Sequence, residues 1–261
     1  MTQQLGSMIK EDVVLTGLEK LDRLLEGGIP KGFVTLILGT PGSSSEILVK
    51  QIATSGDVLY LTTDETKDEV LETMKRFGWG EPKIDFVDIS AKYYQNVIKG
   101  EAKRVSIYEQ RSKLKLKELI EIGSTALPTT KEGEEDYLAV LSNRVKQSTA
   151  AKTIINSLDF FLSQYDQEDV LRTIYAAKIS NLKNKGALIV VMTKGIHGDL
   201  FEKKMESLAD CVLELNVIQK GSTFERFLSV KKMRNYAKKI GIARYAIDDG
   251  GFVLEMIERI M

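Results

Sequence analysis

Residues 34–38 form an apolar run that leads into Gly39-Thr40-Pro41-Gly42-Ser43-Ser44-Ser45-Glu46 and then into Ile47-Leu48-Val49. That is a strand, a glycine-bearing loop and a helix, in the order that holds phosphate. In the pattern G-x-x-x-x-G-K-[ST], backbone N–H groups cradle the phosphates, the lysine reaches the β- and γ-phosphates and the hydroxyl holds magnesium. Here the last three positions are Ser44, Ser45 and Glu46, so Gly39, Pro41 and Gly42 are kept while the second glycine, the lysine and the metal ligand are lost. A hydrogen bond to a charged group is worth roughly 1.5–3 kcal/mol, and losing the lysine is expected to weaken phosphate binding about 100-fold. A Glu46 carboxylate about 5 Å from a phosphate charge adds about 3 kcal/mol of repulsion at an effective dielectric of about 20. Ser43-Ser44-Ser45-Glu46 also has the S-x-x-E form of a capping box, which predicts that Ser43 and Glu46 satisfy the helix N–H groups that a phosphate otherwise meets.

Asp64 and Glu65 follow the apolar run 58–62 as adjacent carboxylates. They also precede Thr66-Lys67-Asp68-Glu69, a second capping-box pattern, so they can close a strand and open a helix. Lys231, Lys232, Arg234, Lys238, Lys239 and Arg244 cluster around one predicted hairpin, with Tyr236 and Tyr245 among them as stacking groups for single-stranded nucleic acid. The plainer reading is a charged hairpin, exposed or used at a subunit contact, since no sequence-specific nucleic-acid motif accompanies it. Cys211 lacks a catalytic partner and is expected to be a buried structural thiol. His197, in Gly195-Ile196-His197-Gly198, is expected in a loop.

The elements that position these residues follow from hydrophobic periodicity. Short apolar runs at 34–38, 58–62, 84–89, 153–155 and 187–192 predict strands buried on both faces, as in a parallel sheet. Helical patterns at 46–53, 67–77, 136–146 and 167–183 alternate with them, giving an α/β class. Beyond Asp210 the segments 212–218, 224–231 and 243–247 alternate apolar and polar residues, predicting antiparallel strands at one sheet edge, and Asp248-Asp249-Gly250-Gly251 predicts the turn of a last hairpin. Residues 92–136 break this rhythm and are expected to form an insertion or lid within a single domain spanning 1–261. Its stretch 99–117 carries seven basic residues against two acidic ones, with Leu114, Leu116 and Leu119 marking an amphipathic segment.

Thr16-Gly17-Leu18-Glu19-Lys20-Leu21-Asp22 and Gly27-Gly28-Ile29-Pro30-Lys31-Gly32-Phe33 resemble the entry to the RecA/KaiC-like ATPase core. The resemblance continues through 59–66, Arg76-Phe77-Gly78-Trp79, Ser207-Leu208-Ala209-Asp210, Lys232-Met233-Arg234 and Asp249-Gly250-Gly251. It implies a RecA-like P-loop core. It places Asp64 and Glu65 at the water-polarising acidic pair, the first shortened from the usual Glu. It places Asn156, in Thr153-Ile154-Ile155-Asn156-Ser157, where the family has a magnesium-supporting Asp. It also places Lys232 and Arg234 at the basic pair that reaches the γ-phosphate bound by a neighbouring subunit.

Composition narrows the field. The 261 residues are 43% hydrophobic and 28% charged, with 37 basic and 37 acidic side chains, a balance that excludes collagen-like and wholly disordered chains and argues against a surface adapted throughout to nucleic acid. One Cys and one His exclude an internal disulfide and a His/Cys zinc site. No apolar run approaches the length of a membrane span and no basic-then-apolar leader opens the chain, which predicts a cytoplasmic protein without membrane contact. Together these features predict a RecA/KaiC-like domain with a degenerate P-loop and a degenerate magnesium-binding strand. ATP or ADP with magnesium binds weakly if at all, and the expected role is that of a non-hydrolysing regulatory or scaffolding pseudo-ATPase. Its expected partners are an active KaiC/RadA-like paralogue, whose site Lys232 and Arg234 complete in trans, or further copies of itself. Two alternatives are an accessory binding single-stranded nucleic acid in recombination or repair, and a weak ATPase.

Overall fold

A computed structural model describes residues 12–80, 82–99, 135–236 and 241–255. Its centre is a nine-stranded sheet made of β3 (Val34–Gly39), β4 (Val58–Thr62), β5 (Ile84–Asp88), β6 (Lys152–Asn156), β7 (Ala187–Thr193), β8 (Cys211–Lys220), β9 (Thr223–Met233), β10 (Gly241–Asp248) and β11 (Gly251–Glu255), in the order β11-β10-β9-β8-β3-β7-β6-β4-β5. The six strands from β8 to β5 are parallel and the remainder antiparallel, as the buried and alternating runs predict. A two-stranded ribbon, β1 (Val13–Val14) with β2 (Ile29–Pro30), lies apart from it.

Alternate residues of the central strands feed two cores. Ile37, Tyr60, Ile154, Ile189 and Leu213 face one way, toward α1 (Glu19–Leu24), α2 (Ser45–Ala53) and α3 (Lys67–Arg76). Leu36, Leu61, Ile155, Val190 and Met192 face the other, toward α5 (Tyr137–Gln147), α6 (Asp159–Gln164), α7 (Gln167–Asn184) and α8 (Asp199–Leu208). A further helix, α4, starts at residue 89 and is described to 99. Each fully buried aliphatic side chain stabilises this sandwich by about 1.5–3 kcal/mol relative to exposure. The rest of the expected insertion, 100–134, lies outside the described residues.

Periodicity located most of the long elements and passed over α1, α4, α6 and α8. Of these, α1 and α6 have only six residues each, too few for a helical pattern to declare itself. The predicted capping box at Thr66 is present: Thr66 Oγ1 accepts from the Glu69 amide at 3.3 Å and Glu69 accepts from the Thr66 amide at 2.7 Å, which holds the Glu69 carboxyl below its ordinary range. The predicted final turn is also present, and it docks on α2 and the end of α3. Trp79 Nε1 donates to the Gly250 carbonyl at 2.7 Å and the Phe252 amide donates to Gln51 Oε1 at 2.7 Å. Gly251 is required there, because its φ is +114° and a Cβ would come within 2.4 Å of the Trp79 ring. Among the described residues no helix is long and apolar enough to cross a membrane.

Candidate functional site

In this sheet β3 lies between β8 and β7, while the strand that follows it in sequence, β4, lies beyond β6. The crevice outside the carboxyl ends at such a reversal is where open α/β sheets hold ligands, and Gly39–Glu46 is placed there. The loop is pinned from three directions. The Lys194 amide donates to the Gly39 carbonyl at 2.9 Å, the Thr40 amide to the Leu215 carbonyl at 3.0 Å and the Tyr245 hydroxyl to the Ser43 carbonyl at 2.6 Å. Pro41 and Gly42 form its exposed tip.

The predicted capping box at Ser43 and Glu46 does not form. The N-cap of α2 is Ser44, and no side chain caps the helix. The Ser43 hydroxyl is instead turned inward, buried without a hydrogen-bond partner and crowded with Ser45 Oγ against Gly39. The reason is the backbone: Ser44 has φ +58° and ψ +36°, the left-handed conformation suited to the glycine that the pattern puts at this position, and this takes Ser43 out of cap geometry. The loop thus keeps a glycine-type shape around a serine. Glu46 is exposed in the first turn of α2, where the helix dipole favours a carboxylate.

Asp64 and Glu65 separate. Asp64 accepts from Ser157 Oγ at 2.7 Å and Thr63 Oγ1 at 3.2 Å, at the ends of β6 and β4. Partial burial pushes its carboxyl upward against the Ser157 hydrogen bond, and the Asp159 and Glu65 carboxylates add to the rise. Glu65 turns toward α2, where its Oε1 lies 2.6 Å from Lys50 Nζ. Asn156 is buried at the end of β6 and donates to the Tyr60 hydroxyl at 2.9 Å. Ser157 Oγ also accepts from the Asp159 amide at 3.2 Å, and Asp159 accepts from Thr193 and lies 2.6 Å from His197 Nε2. His197 therefore sits in its predicted loop but is tied to α6. Sequence reasoning passed over Lys50, Tyr60 and Asp159, and it read Tyr245 as a stacking group, whereas its hydroxyl is used on the Ser43 carbonyl. The one legible signal was Lys50 itself, a lysine in the apolar helix Ile47-Leu48-Val49-Lys50-Gln51-Ile52 four residues after Glu46.

The basic residues of the C-terminal edge are engaged within their own chain. Lys232 Nζ donates to the Glu206 and Ser207 carbonyls at 2.8 and 3.0 Å, closing the end of α8, and Arg234 lies 3.0 Å from Asp210. Lys231 occupies the β-bulge between β8 and β9 and bridges Glu206 and Glu214 at 2.7 and 2.8 Å. Arg244 pairs with Glu225 and lies over the Phe227 ring. Lys238 and Lys239 lie outside the described residues. Cys211 is buried, as expected, and burial above all pushes its thiol up to about 12.

A family profile described as "ATPase: KaiC" matches residues 14–259. The circadian clock oscillator protein KaiC of Synechococcus elongatus is 24% identical over 252 residues, which are 90% of this chain and 43% of that protein, so the chain spans less than half of that relative. A UPF0273 protein of Thermotoga maritima is 26% identical over 258 residues, covering 95% of this chain and 96% of its own. Among solved structures, a KaiC-like protein from the archaeon Pyrococcus horikoshii superposes with a TM-score of 0.66 at 17% identity, over 94% of this chain and 99% of the other, and shares the fold. With the profile spanning nearly the whole sequence, the chain belongs to the KaiC ATPase family.

Proposed function

We propose that this chain is a KaiC-family domain that does not hydrolyse nucleotide and serves a regulatory or scaffolding role. The observation that carries the reading is the loop after β3: its glycine-type backbone persists at Ser44, while Ser45 supplies no cation and Glu46 puts a carboxylate at the helix start. Phosphoryl transfer depends on cations that neutralise charge building on the phosphates, and this loop provides none. Asn156 lends further support, since it is a neutral amide at the end of β6 that brings no negative charge to a metal ion.

The test has two arms. Calorimetric titration of ATP and ADP with magnesium, alongside phosphate release, is expected to give no saturable binding tighter than about 100 μM, roughly 5.5 kcal/mol, and no turnover. Turnover that disappears in Asp64→Asn or Glu65→Gln would overturn the reading. In the second arm the chain is mixed with an active paralogue. Lys232 and Arg234 reach a neighbour's site only after leaving Glu206, Ser207 and Asp210. Stimulation by the native chain, lost with Lys232→Ala plus Arg234→Ala, makes the role one of completing a site in trans; no stimulation leaves scaffolding.

A further inference from the structure

The ends of β3, β4 and β6 do not fit the magnesium ion that the P-loop pattern implies. The position of the metal-binding hydroxyl holds Glu46, Asn156 brings no negative charge to the end of β6, and Glu65 is held by an ammonium. Among the described residues no three His, Cys, Asp or Glu side chains are grouped as for a metal ion. What occupies the region is Lys50. It follows Glu46 by four residues on α2 and so projects from the same helix face. Its side chain is 2% exposed, and its Nζ lies 2.6 Å from Glu65 Oε1 and 3.4 Å from Thr73 Oγ1. An ammonium buried to this degree is tolerated only with a charge partner, and Glu65 is that partner. Burial chiefly pushes the Tyr60 phenol upward against the Asn156 hydrogen bond, and the charges of Glu65, Asp64 and Glu46 add to the rise.

We propose that the Lys50 ammonium stands in for the divalent cation of the fold, neutralising the Glu65 carboxylate at the end of β4 from within the chain so that the site takes no metal ion. The inference deepens the non-hydrolysing reading and rests on the same site, but its test uses nucleotide-free protein and does not measure turnover.

The experiment uses the full chain, with Mn2+ as a paramagnetic probe followed by amide NMR and Mg2+ added in thermal unfolding. The native protein is expected to show no selective broadening at Glu46, Asp64 or Glu65 in millimolar Mn2+ and no Mg2+-dependent change in Tm. Lys50→Met leaves the partly exposed Glu65 without its ion-pair partner and is expected to lower Tm by about 3–8 °C. Part of that loss should return either with Mg2+ or on adding Glu65→Gln, while Lys50→Arg keeps the native indifference to metal. Selective Mn2+ broadening at these residues in the native protein overturns the proposal, and so does a Lys50→Met deficit that neither Mg2+ nor Glu65→Gln relieves. Should Lys50→Met fail to fold, the native Mn2+ titration and the Lys50→Met/Glu65→Gln double variant, expected to fold and to stay indifferent to Mg2+, decide the matter. A turnover result speaks to hydrolysis alone, so the two readings fail separately.

Discussion

The loop after β3 keeps its backbone and has changed its side chains: Ser44 holds a glycine-type conformation, and Ser45 and Glu46 stand where a lysine and a hydroxyl belong. At the β8–β9 edge the opposite holds. Lys232 and Arg234, which the family resemblance selects, are present, but they close α8 and pair with Asp210. A loop shape without the pattern's side chains and basic groups committed to structure are both compatible with an intact fold. Backbone conformation is fixed by sheet and helix hydrogen bonds that tolerate many side chains, whereas a catalytic cation or carboxylate is only as useful as its freedom to face a ligand.

If the C-terminal edge is structural, substitutions there should cost far more stability than substitutions in the loop. Asp210 is the sharpest case, because its buried carboxylate accepts from the Val34 amide at 3.1 Å and pairs with Lys178 at 2.8 Å and Arg234 at 3.0 Å. Asp210→Ala leaves the Val34 amide unmet and the partly exposed Lys178 and Arg234 without their shared partner, and is expected to remove about 2–4 kcal/mol, lowering Tm by about 4–15 °C. A loss below about 1 kcal/mol in chemical denaturation would break the comparison.

An intermediate effect is expected at Glu214. Burial acts to raise its carboxyl, but hydrogen bonds from Asn216, Lys231 and Lys194 outweigh burial and hold it at about 2. Because the folded value lies below the unfolded one, its stabilisation is complete above the ordinary glutamate range and is lost as pH falls from about 4.5 toward 2. Urea midpoints followed from pH 6 down to about 2.5 should therefore fall more steeply for the native chain than for Glu214→Gln. Parallel slopes would remove Glu214 from the edge network.

The smallest effect belongs to the loop. Ser44→Gly relieves a left-handed serine but frees the unfolded chain, and a net stabilisation of about 0.5 kcal/mol is expected from calorimetric melting. A marked destabilisation would mean that the Ser44 side chain, rather than the backbone around it, holds the loop.

Much of this was legible from residue order. Buried runs and alternating runs gave the parallel centre and the antiparallel edge, because strand burial leaves a period-two or continuous apolar trace. The glycine loop was found because its residue types and spacing carry chemistry directly, and the acidic pair and Asn156 because the resemblance to the RecA/KaiC-like core picks out their positions. The division of Asp64 from Glu65 was not legible, since adjacent residues point different ways only once neighbours are in place: Ser157 for one and Lys50 for the other. Nor was the occupation of Lys232, whose acceptors are backbone carbonyls at the end of α8, 25 residues and more upstream.

The sequence by itself determined the layered fold and the absence of a lysine and a magnesium-binding hydroxyl from the loop, because local patterning and side-chain identity are one-dimensional properties. Only the tertiary structure decided which charges are free. Whether Lys50 is a surface ammonium or the counter-ion of Glu65, and whether Arg234 reaches outward or holds Asp210, depends on partners 15 and 24 residues away, brought within 3.0 Å by the packing of α2 against β4 and of β9 along β8. A charge's role is set by its solvation and its nearest opposite charge, and both are properties of three-dimensional neighbours.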